Sequence, residues 1–129
     1  MFTILIMAFH SRHLLPDLVK SIGMDFPIVI LDNSQDYDLK SKLEKDYSNV
    51  TVIIPKENLG FAKGANLAIS QIKSEYIFIN PSDVFLPKKC FLAFQHLKPS
   101  QTDGCSNCWR SRSYGNIPKP HCAWAWPLY

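Results

Sequence analysis

Four short apolar runs alternate along the chain with stretches whose apolar positions recur every three or four residues. The runs are almost continuously hydrophobic, as strands are when both faces of a sheet are covered. They span residues 2–9, 27–31, 50–54 and 76–79. The stretches with helical spacing span residues 14–22, 36–47 and 60–72, and a last helix is predicted from Pro87. This alternation predicts an α/β fold with a Rossmann-like, mainly parallel sheet and flanking helices.

The hydrophobic pattern stops near Lys98. The remaining residues contain all three tryptophans and three of the four cysteines, and their only branched aliphatic side chains are Ile117 and Leu128. Neither a helical nor a strand period continues there. We therefore divide the chain into a folded part, residues 1–97, and an irregular tail of unknown role, residues 98–129. The tail is either a poorly ordered extension or a stretch of sequence foreign to the fold.

Length and composition are those of a small globular domain. The 129 residues are 47% hydrophobic and 19% charged, and a chain of this length holds one domain. The net charge of +3 arises beyond residue 97, where the charged residues are Lys98, Asp103, Arg110, Arg112 and Lys119. Because the folded part has no basic excess, we do not expect a nucleic-acid partner.

The hydrophobic pattern predicts neither a membrane span nor a secretion signal. No apolar run approaches the ~18–20 residues of a spanning helix, and no positive segment precedes the apolar start. Without a secretion signal, the four cysteines are expected to be reduced thiols. We therefore expect a cytoplasmic location, and peripheral association with a membrane stays open.

Polar clusters follow the predicted strands at the point where each strand ends. They comprise His10–Ser11, Asp32–Ser34, Glu57–Asn58 and Asn80–Asp83. The carboxyl ends of parallel strands meet at one edge of a sheet, and ligands of open α/β sheets bind in the crevice beyond that edge. The sequence therefore predicts a binding crevice there.

Two carboxylates in these clusters are candidates for ligand binding. Asp32 directly follows the second apolar run and could accept hydrogen bonds from a ribose hydroxyl or a base N–H. The alternative for Asp32 is a turn residue that caps the next helix. Asp83 could hold Mg²⁺ or Mn²⁺, because hard cations accept one or two carboxylates completed by substrate phosphates. The alternative for Asp83 is a turn that joins strand to helix.

The segment Glu57–Asn66 is the most specific one. Gly60 stands where a loop turns into a helix, and a helix start presents free N–H groups to anions. Asn66 falls on an otherwise apolar helix face, so we expect a buried amide whose partner is a ligand or a neighbouring loop. The segment is neither a Walker loop nor a dinucleotide-binding glycine pattern.

Three segments also carry a family resemblance, which covers about residues 2–95. They are Val29–Ser34, Glu57–Ala62 with Asn66, and Ile79–Pro81 with Asp83. Together they resemble the family 2 glycosyltransferases, and more closely their rhamnosyltransferase-like branch. The resemblance implies a GT-A fold and transfer of a sugar from a nucleotide diphosphate sugar to a glycan or other hydroxyl acceptor. It also implies Mg²⁺ or Mn²⁺ as the cofactor.

The resemblance further implies roles for individual residues. The nucleotide-sugar-binding positions would be Ala8, Phe9, Asp32, Asn33, Gly60, Asn66 and Asn80. Asp83 would match the metal-binding aspartate of the family. Residues 1–97 would then form the nucleotide-sugar-binding part of the domain, with no residue assigned as the catalytic base.

Two departures from the family pattern leave a second interpretation open. Ser82 is inserted before Asp83, where the branch usually reads Asn-Pro-Asp. The acceptor half of the family, which carries the general base, has no counterpart after Lys98. The alternative to an active transferase is therefore a truncated, non-catalytic nucleotide-binding module or remnant, with a tail that is either native or the product of a frameshift.

Overall fold

The computed structural model describes residues 2–95 and, beyond them, the backbone of three short strands. The predicted alternation of strand and helix over the first 95 residues is confirmed. No helix in this part of the chain is long and apolar enough to cross a membrane. The elements are β1 Phe2–Ala8, α1 Leu15–Ile22, β2 Ile28–Asp32, α2 Tyr37–Asp46, β3 Val50–Ile53, α3 Gly60–Gln71, β4 Tyr76–Pro81, α4 Lys88–Gln95, β5 Cys108–Arg110, β6 Ser113–Tyr114 and β7 Ile117–Pro118.

The main sheet has the strand order β3-β2-β1-β4-β5. Its first four strands run parallel, as predicted, and β5 pairs with β4 in the antiparallel direction. Ala8 lies opposite Asp32, and Met7 lies opposite Pro81, so the carboxyl ends of β1, β2 and β4 are level. The chain builds β2 and β3 on one side of β1 and β4 on the other. This order creates a topological switch point between β1 and β4.

Helices cover both faces of the sheet, which explains why the strands are apolar at consecutive positions. Ile4 and Ile6 of β1 pack in a core cluster with residues of α1, α2 and α4. Leu5 and Met7 pack in a second cluster with residues of α3. All seven residues of β1 are buried. A strand covered on one face alone would alternate between apolar and polar residues.

The helix α3 lies close to β2 because its buried face is made mostly of small residues. Its buried positions are Gly64, Ala65, Ala68 and Ile69. A Cβ atom at Gly64 would overlap the side chain of Leu31 and would lie 3.3 Å from the Met7 Cε atom. The absence of a side chain at Gly64 therefore allows α3 to approach the sheet closely at this point.

The tail contains short regular pieces that the sequence analysis did not predict. Cys108–Arg110 pairs with Tyr76–Phe78 at the edge of the main sheet, and β6 and β7 form a separate two-stranded sheet. Strands of two or three residues hold too few side chains to display a period of two. Their pairing rests on backbone hydrogen bonds, which the sequence pattern does not reveal. The remainder of the predicted irregular tail lies outside the described residues.

The outer edge of β3 is covered by two side chains of α2. Glu44 Oε1 accepts a hydrogen bond from the Val52 N–H at 2.8 Å, and Lys40 donates to the Val52 carbonyl. Lys40 and Glu44 also form an ion pair of 3.2 Å across one helical turn. An unpaired strand edge is a template for pairing with another chain. Because Glu44 and Lys40 bond the N–H and the carbonyl of Val52, these two groups are not available for pairing with another strand.

Replacing Glu44 with alanine is expected to lower the free energy of unfolding by about 0.5–1.5 kcal/mol, because the Val52 N–H loses its acceptor. Urea denaturation of the purified chain measures this change, and light scattering reports association through the opened edge. The control is Lys42→Ala, at an exposed position of the same helix. Equal stability and equal scattering of the two variants would contradict the edge-covering role of Glu44.

Candidate functional site

The carboxyl ends of β1, β2 and β4 bring several predicted site residues together. Ala8 and Asp32 are register partners, and Asn80 is the penultimate residue of β4. Phe9 follows β1 directly and is 53% exposed, whereas Ala8 is buried. These four residues lie along one edge of the sheet, next to the switch point. The predicted site therefore falls where ligands of open α/β sheets bind.

An open cavity of about 610 Å³ borders this edge, between the loops that follow β1 and β2. Its lining residues are His10, Arg12, Ser34, Gln35, Asp36, Tyr37 and Asp38. Arg12 Nη1 donates to both carboxylate oxygens of Asp36, at 3.0 and 3.2 Å. Asp36 also caps α2 by accepting a hydrogen bond from the Leu39 N–H at 3.0 Å. The Arg12–Asp36 pair therefore bridges the two walls of the cavity.

The sequence analysis missed both members of this pair. Asp36 stands three residues before Leu39 at the start of a helical pattern, which is the signature of an N-cap, so local sequence could have identified it. Arg12 carries no such signal, because its partner lies 24 positions away. Contacts of that kind become visible once the strands are paired.

Two non-glycine residues of the cavity have a left-handed backbone. His10 has a φ of 50° and Gln35 a φ of 59°, conformations that cost about 1–3 kcal/mol and persist where surrounding contacts hold them. The Gln35 amide donates to the carbonyls of Pro55 and Lys56. The rings of His10 and Phe9 lie 4.1 Å apart, centroid to centroid. Packing and hydrogen bonds therefore hold this strained lining in place.

The Asp32 side chain is 1% exposed and is bound to the turn that follows β2. Its Oδ1 atom accepts hydrogen bonds from the Ser34 N–H at 2.9 Å and from the Ser34 hydroxyl. Its Oδ2 atom accepts a longer one, of 3.4 Å, from the Asp36 N–H. Asp32 therefore stabilises the turn, as the alternative expected, whereas the cap of the next helix is supplied by Asp36 and not by Asp32. A contact of Asp32 with a nucleotide stays a prediction, for which Oδ2 is the less engaged atom.

Asn33 joins the end of β2 to the start of α3. The Asn33 Oδ1 atom accepts a hydrogen bond from the Leu59 N–H at 3.3 Å, and Nδ2 donates to the Gly60 carbonyl at 3.1 Å. Gly60 has a φ of 72°, a backbone conformation that favours glycine, and its N–H donates to Asn58 Oδ1. Asn33 and Gly60 together determine how the chain enters α3.

Asn66 is exposed, so the prediction of a buried amide on the inner face of α3 is wrong. The sequence pattern placed Asn66 between Ala62 and Ile69 on an apolar face, but Ala62 is exposed and the buried arc of α3 comprises Gly64, Ala65, Ala68 and Ile69. Asn66 lies outside this arc, and Phe61, in the first turn of the helix, is exposed as well. A role for Asn66 in ligand binding stays a prediction, at an exposed position.

The turn Pro81–Val84 carries Asp83 beyond the end of β4. The Val84 N–H donates to the Pro81 carbonyl at 3.2 Å. Asn80, which is 1% exposed, donates from Nδ2 to the carbonyls of Pro81 and Val84, at 2.8 and 2.9 Å. Asp83 is exposed, and its carboxylate makes no hydrogen bond or ion pair with any residue that the structure describes. Asn80 shapes the turn, and Asp83 is available to a ligand.

One carboxylate alone does not form a metal site. Within residues 2–95, no group of three or more histidine, cysteine, aspartate and glutamate side chains is arranged to hold an ion. An exposed carboxylate suits a hard cation whose other ligands are water and phosphate oxygens. The residues present therefore fit Mg²⁺ or Mn²⁺ held jointly by Asp83 and a bound diphosphate.

The fold is that of an open α/β domain with a topological switch point between β1 and β4, which is where such sheets bind ligands. The sequence pattern of Glycosyl transferase family 2 matches residues 3–124. The chain therefore belongs to this family, as its resemblance implied. No curated protein sequence matches the chain significantly.

Solved structures share the fold at low sequence identity. S. aureus TarS 1-349 is 22% identical with a TM-score of 0.61, over 73% of this chain and 31% of that one. The same protein in complex with UDP is 24% identical with a TM-score of 0.59, over 72% and 31%. The mannosyltransferase PcManGT from Pyrobaculum calidifontis, in complex with GDP-Man and Mn²⁺, is 19% identical with a TM-score of 0.62, over 71% and 30%. The fold is thus GT-A/Rossmann-like, and the chain spans less than a third of the length of these neighbours.

Replacing Asn33 with alanine is expected to lower the free energy of unfolding by about 0.5–1.5 kcal/mol, because the N–H of half-buried Leu59 and the carbonyl of exposed Gly60 lose their side-chain partner. Urea denaturation measures the loss, and amide hydrogen exchange of Leu59 locates it. Asn33→Asp is the matched variant, since it keeps the acceptor for the Leu59 N–H and removes the donor to Gly60. Slow Leu59 exchange in the alanine variant would contradict this role.

Proposed function

We propose that the chain forms the nucleotide-sugar-binding part of a glycosyltransferase that moves a sugar from a nucleotide diphosphate donor to an acceptor hydroxyl. The observation that carries the proposal is the exposed carboxylate of Asp83, which has no partner among the described side chains, at the switch point of a family 2 domain. The neighbours in complex with UDP and with GDP-Man and Mn²⁺ support a donor of this chemical class.

The diphosphate side of the proposed site depends on Asp83. A bound Mg²⁺ or Mn²⁺ would stabilise the negative charge that develops on the departing nucleoside diphosphate. Asp83 would hold the ion at the mouth of the crevice, and the hydrogen bonds of Asn80 to the carbonyls of the turn would keep the carboxylate outside the strand.

The nucleoside side of the proposed site lies along β1 and β2. Phe9 offers an exposed ring beside the end of β1, and Asp32 Oδ2 offers an acceptor to a ribose hydroxyl or a base N–H. Asn33 and Gly60 shape the loop that enters α3. The remaining proposed donor-site positions are Ala8, Asn66 and Asn80.

The proposal also covers the branch of the family, the acceptor and the location of the protein. Membership of the rhamnosyltransferase-like branch rests on the segments Glu57–Ala62 and Ile79–Pro81 together with Asn66. The acceptor is proposed to be a glycan or another hydroxyl compound. The cytoplasmic location and a peripheral membrane association stay predictions.

Metal-linked nucleotide binding tests the proposal directly. Calorimetry with uridine, guanosine and thymidine diphosphates, with and without Mn²⁺, is expected to show tighter binding in the presence of the ion. Asp83→Asn is expected to weaken the Mn²⁺-dependent binding at least about tenfold, the lower scale of a lost contact to a charged group. Asp46→Asn, an exposed aspartate at the end of α2, is the control. Equal Mn²⁺ dependence in both variants would refute the role of Asp83.

An activity assay separates the transferase from the non-catalytic nucleotide-binding module. General-base assistance contributes about 10²–10⁴-fold to rate, and no described residue is assigned to that role. We therefore expect the purified chain to bind nucleotides but to transfer little or no sugar. The assay follows nucleotide release and sugar transfer from a panel of donors that includes thymidine diphosphate rhamnose. Robust transfer that Asp83→Asn abolishes would contradict the binding-module alternative.

A further inference from the structure

A hydroxyl pair lies at each end of the seam between β1 and β4: one joins β1 to the loop before β4, and the other joins the loops that follow the two strands. At the amino edge of the sheet, Thr3 Oγ1 and Ser74 Oγ lie 2.5 Å apart. At the carboxyl edge, Ser11 Oγ and Ser82 Oγ lie 2.6 Å apart. The second pair lies at the switch point, directly before Asp83 in the chain. The two pairs have similar chemistry and differ in their distance from the proposed site.

The direction of the Ser11–Ser82 bond follows from a neighbouring contact. Ser11 is 6% exposed, and its hydroxyl donates to the Phe9 carbonyl at 3.1 Å. A serine hydroxyl has one proton to donate. When the Ser11 hydroxyl donates to Phe9, the Ser82 hydroxyl is the donor of the pair and Ser11 Oγ the acceptor. Two hydrogen bonds thus connect Ser82, in the turn of Asp83, to Ser11 and Ser11 to the Phe9 carbonyl.

These two hydrogen bonds connect the turn Pro81–Val84 to the end of β1. The amide of Asn80 contacts two carbonyls of the same turn, so it shapes the turn without linking it to another strand. Ser82 makes the links to the β1 side, through its N–H to the Met7 carbonyl at 3.2 Å and through its hydroxyl to Ser11. The backbone bond holds the strand register, and the hydroxyl bond holds the turn beyond it.

We propose that Ser11 and Ser82 are positioning residues, which hold the Asp83 carboxylate at a defined distance from Phe9 across the crevice. The inference rests on the proposed function, because Asp83 matters through the diphosphate-bound ion. Asp83 has no side-chain partner among residues 2–95, so its location depends on the anchoring of its turn. Loss of the hydroxyl bond lets the turn move relative to β1 while the fold and the nucleoside side of the crevice stay intact.

The test compares the dissociation constants of a nucleoside diphosphate with and without Mn²⁺, using uridine or guanosine diphosphate, whichever the parent chain binds more tightly. Ser82→Ala and Ser11→Ala are each expected to reduce the gain in affinity from Mn²⁺ about three- to tenfold, the scale of one hydrogen bond. The double variant is expected to lose no more than either single variant, because both changes break the same bond. Metal-free affinity stays unchanged, and Ser82→Thr retains the gain because it keeps the hydroxyl.

The control is Ser74→Ala, which breaks the hydroxyl pair at the opposite end of the same seam. It is expected to lower the melting temperature and to leave the gain from Mn²⁺ intact. If Mn²⁺ raises the nucleotide affinity of Ser82→Ala as much as that of the parent, while Asp83→Asn loses this increase, the positioning role is overturned and the proposed function stands. Equal losses in Ser82→Ala and Ser74→Ala would show a merely structural bond and would also overturn it. A parent chain without any Mn²⁺ gain would refute the metal-assisted function and this inference together.

Discussion

The burial of β1 on both faces is the constraint on which the rest of the structure depends. Its side chains pack alternately against α3 and against the cluster formed by α1, α2 and α4. A strand in this position needs hydrogen-bonding partners along both edges, because a buried backbone group without a partner costs about 1–3 kcal/mol. β2 and β4 supply these partners, both parallel to β1. The three carboxyl ends therefore meet at one edge, and the crevice is a consequence of how β1 is buried.

Buried and exposed side chains have different roles at this edge. Asp32, Asn33 and Asn80 are buried and use their side chains to bind the backbone of the loops. Phe9 and Asp83 are exposed at the same edge. The buried groups hold the loops so that the exposed ones keep their places. A turn role and a binding role are therefore compatible for the aspartates of such an edge, since one carboxylate has two oxygens.

Family membership and fold together identify the type of domain to which the described residues belong. The chain belongs to Glycosyl transferase family 2 and shares a GT-A-like fold with TarS and PcManGT, yet it spans 31% and 30% of those chains. The described residues contain the switch point, where a donor would bind. They provide a rigid sheet edge, two loops joined by the Arg12–Asp36 pair, and one available carboxylate. The proposed donor site draws on these three features, and no described residue is assigned to an acceptor.

The sequence by itself determined the order of the elements, the parallel sheet and the edge at which the polar clusters meet. These properties follow from the spacing of apolar residues, since a doubly covered strand is apolar throughout and a helix repeats every 3.6 residues. The tertiary structure decided which side chains at that edge are exposed. It left Asn66 exposed, because α3 packs on the sheet through Gly64, Ala65, Ala68 and Ile69. It also paired Arg12 with Asp36 and Ser11 with Ser82, residues 24 and 71 positions apart. A local pattern carries no information about such contacts, because they form only when separate strand ends are brought to the same edge of the sheet.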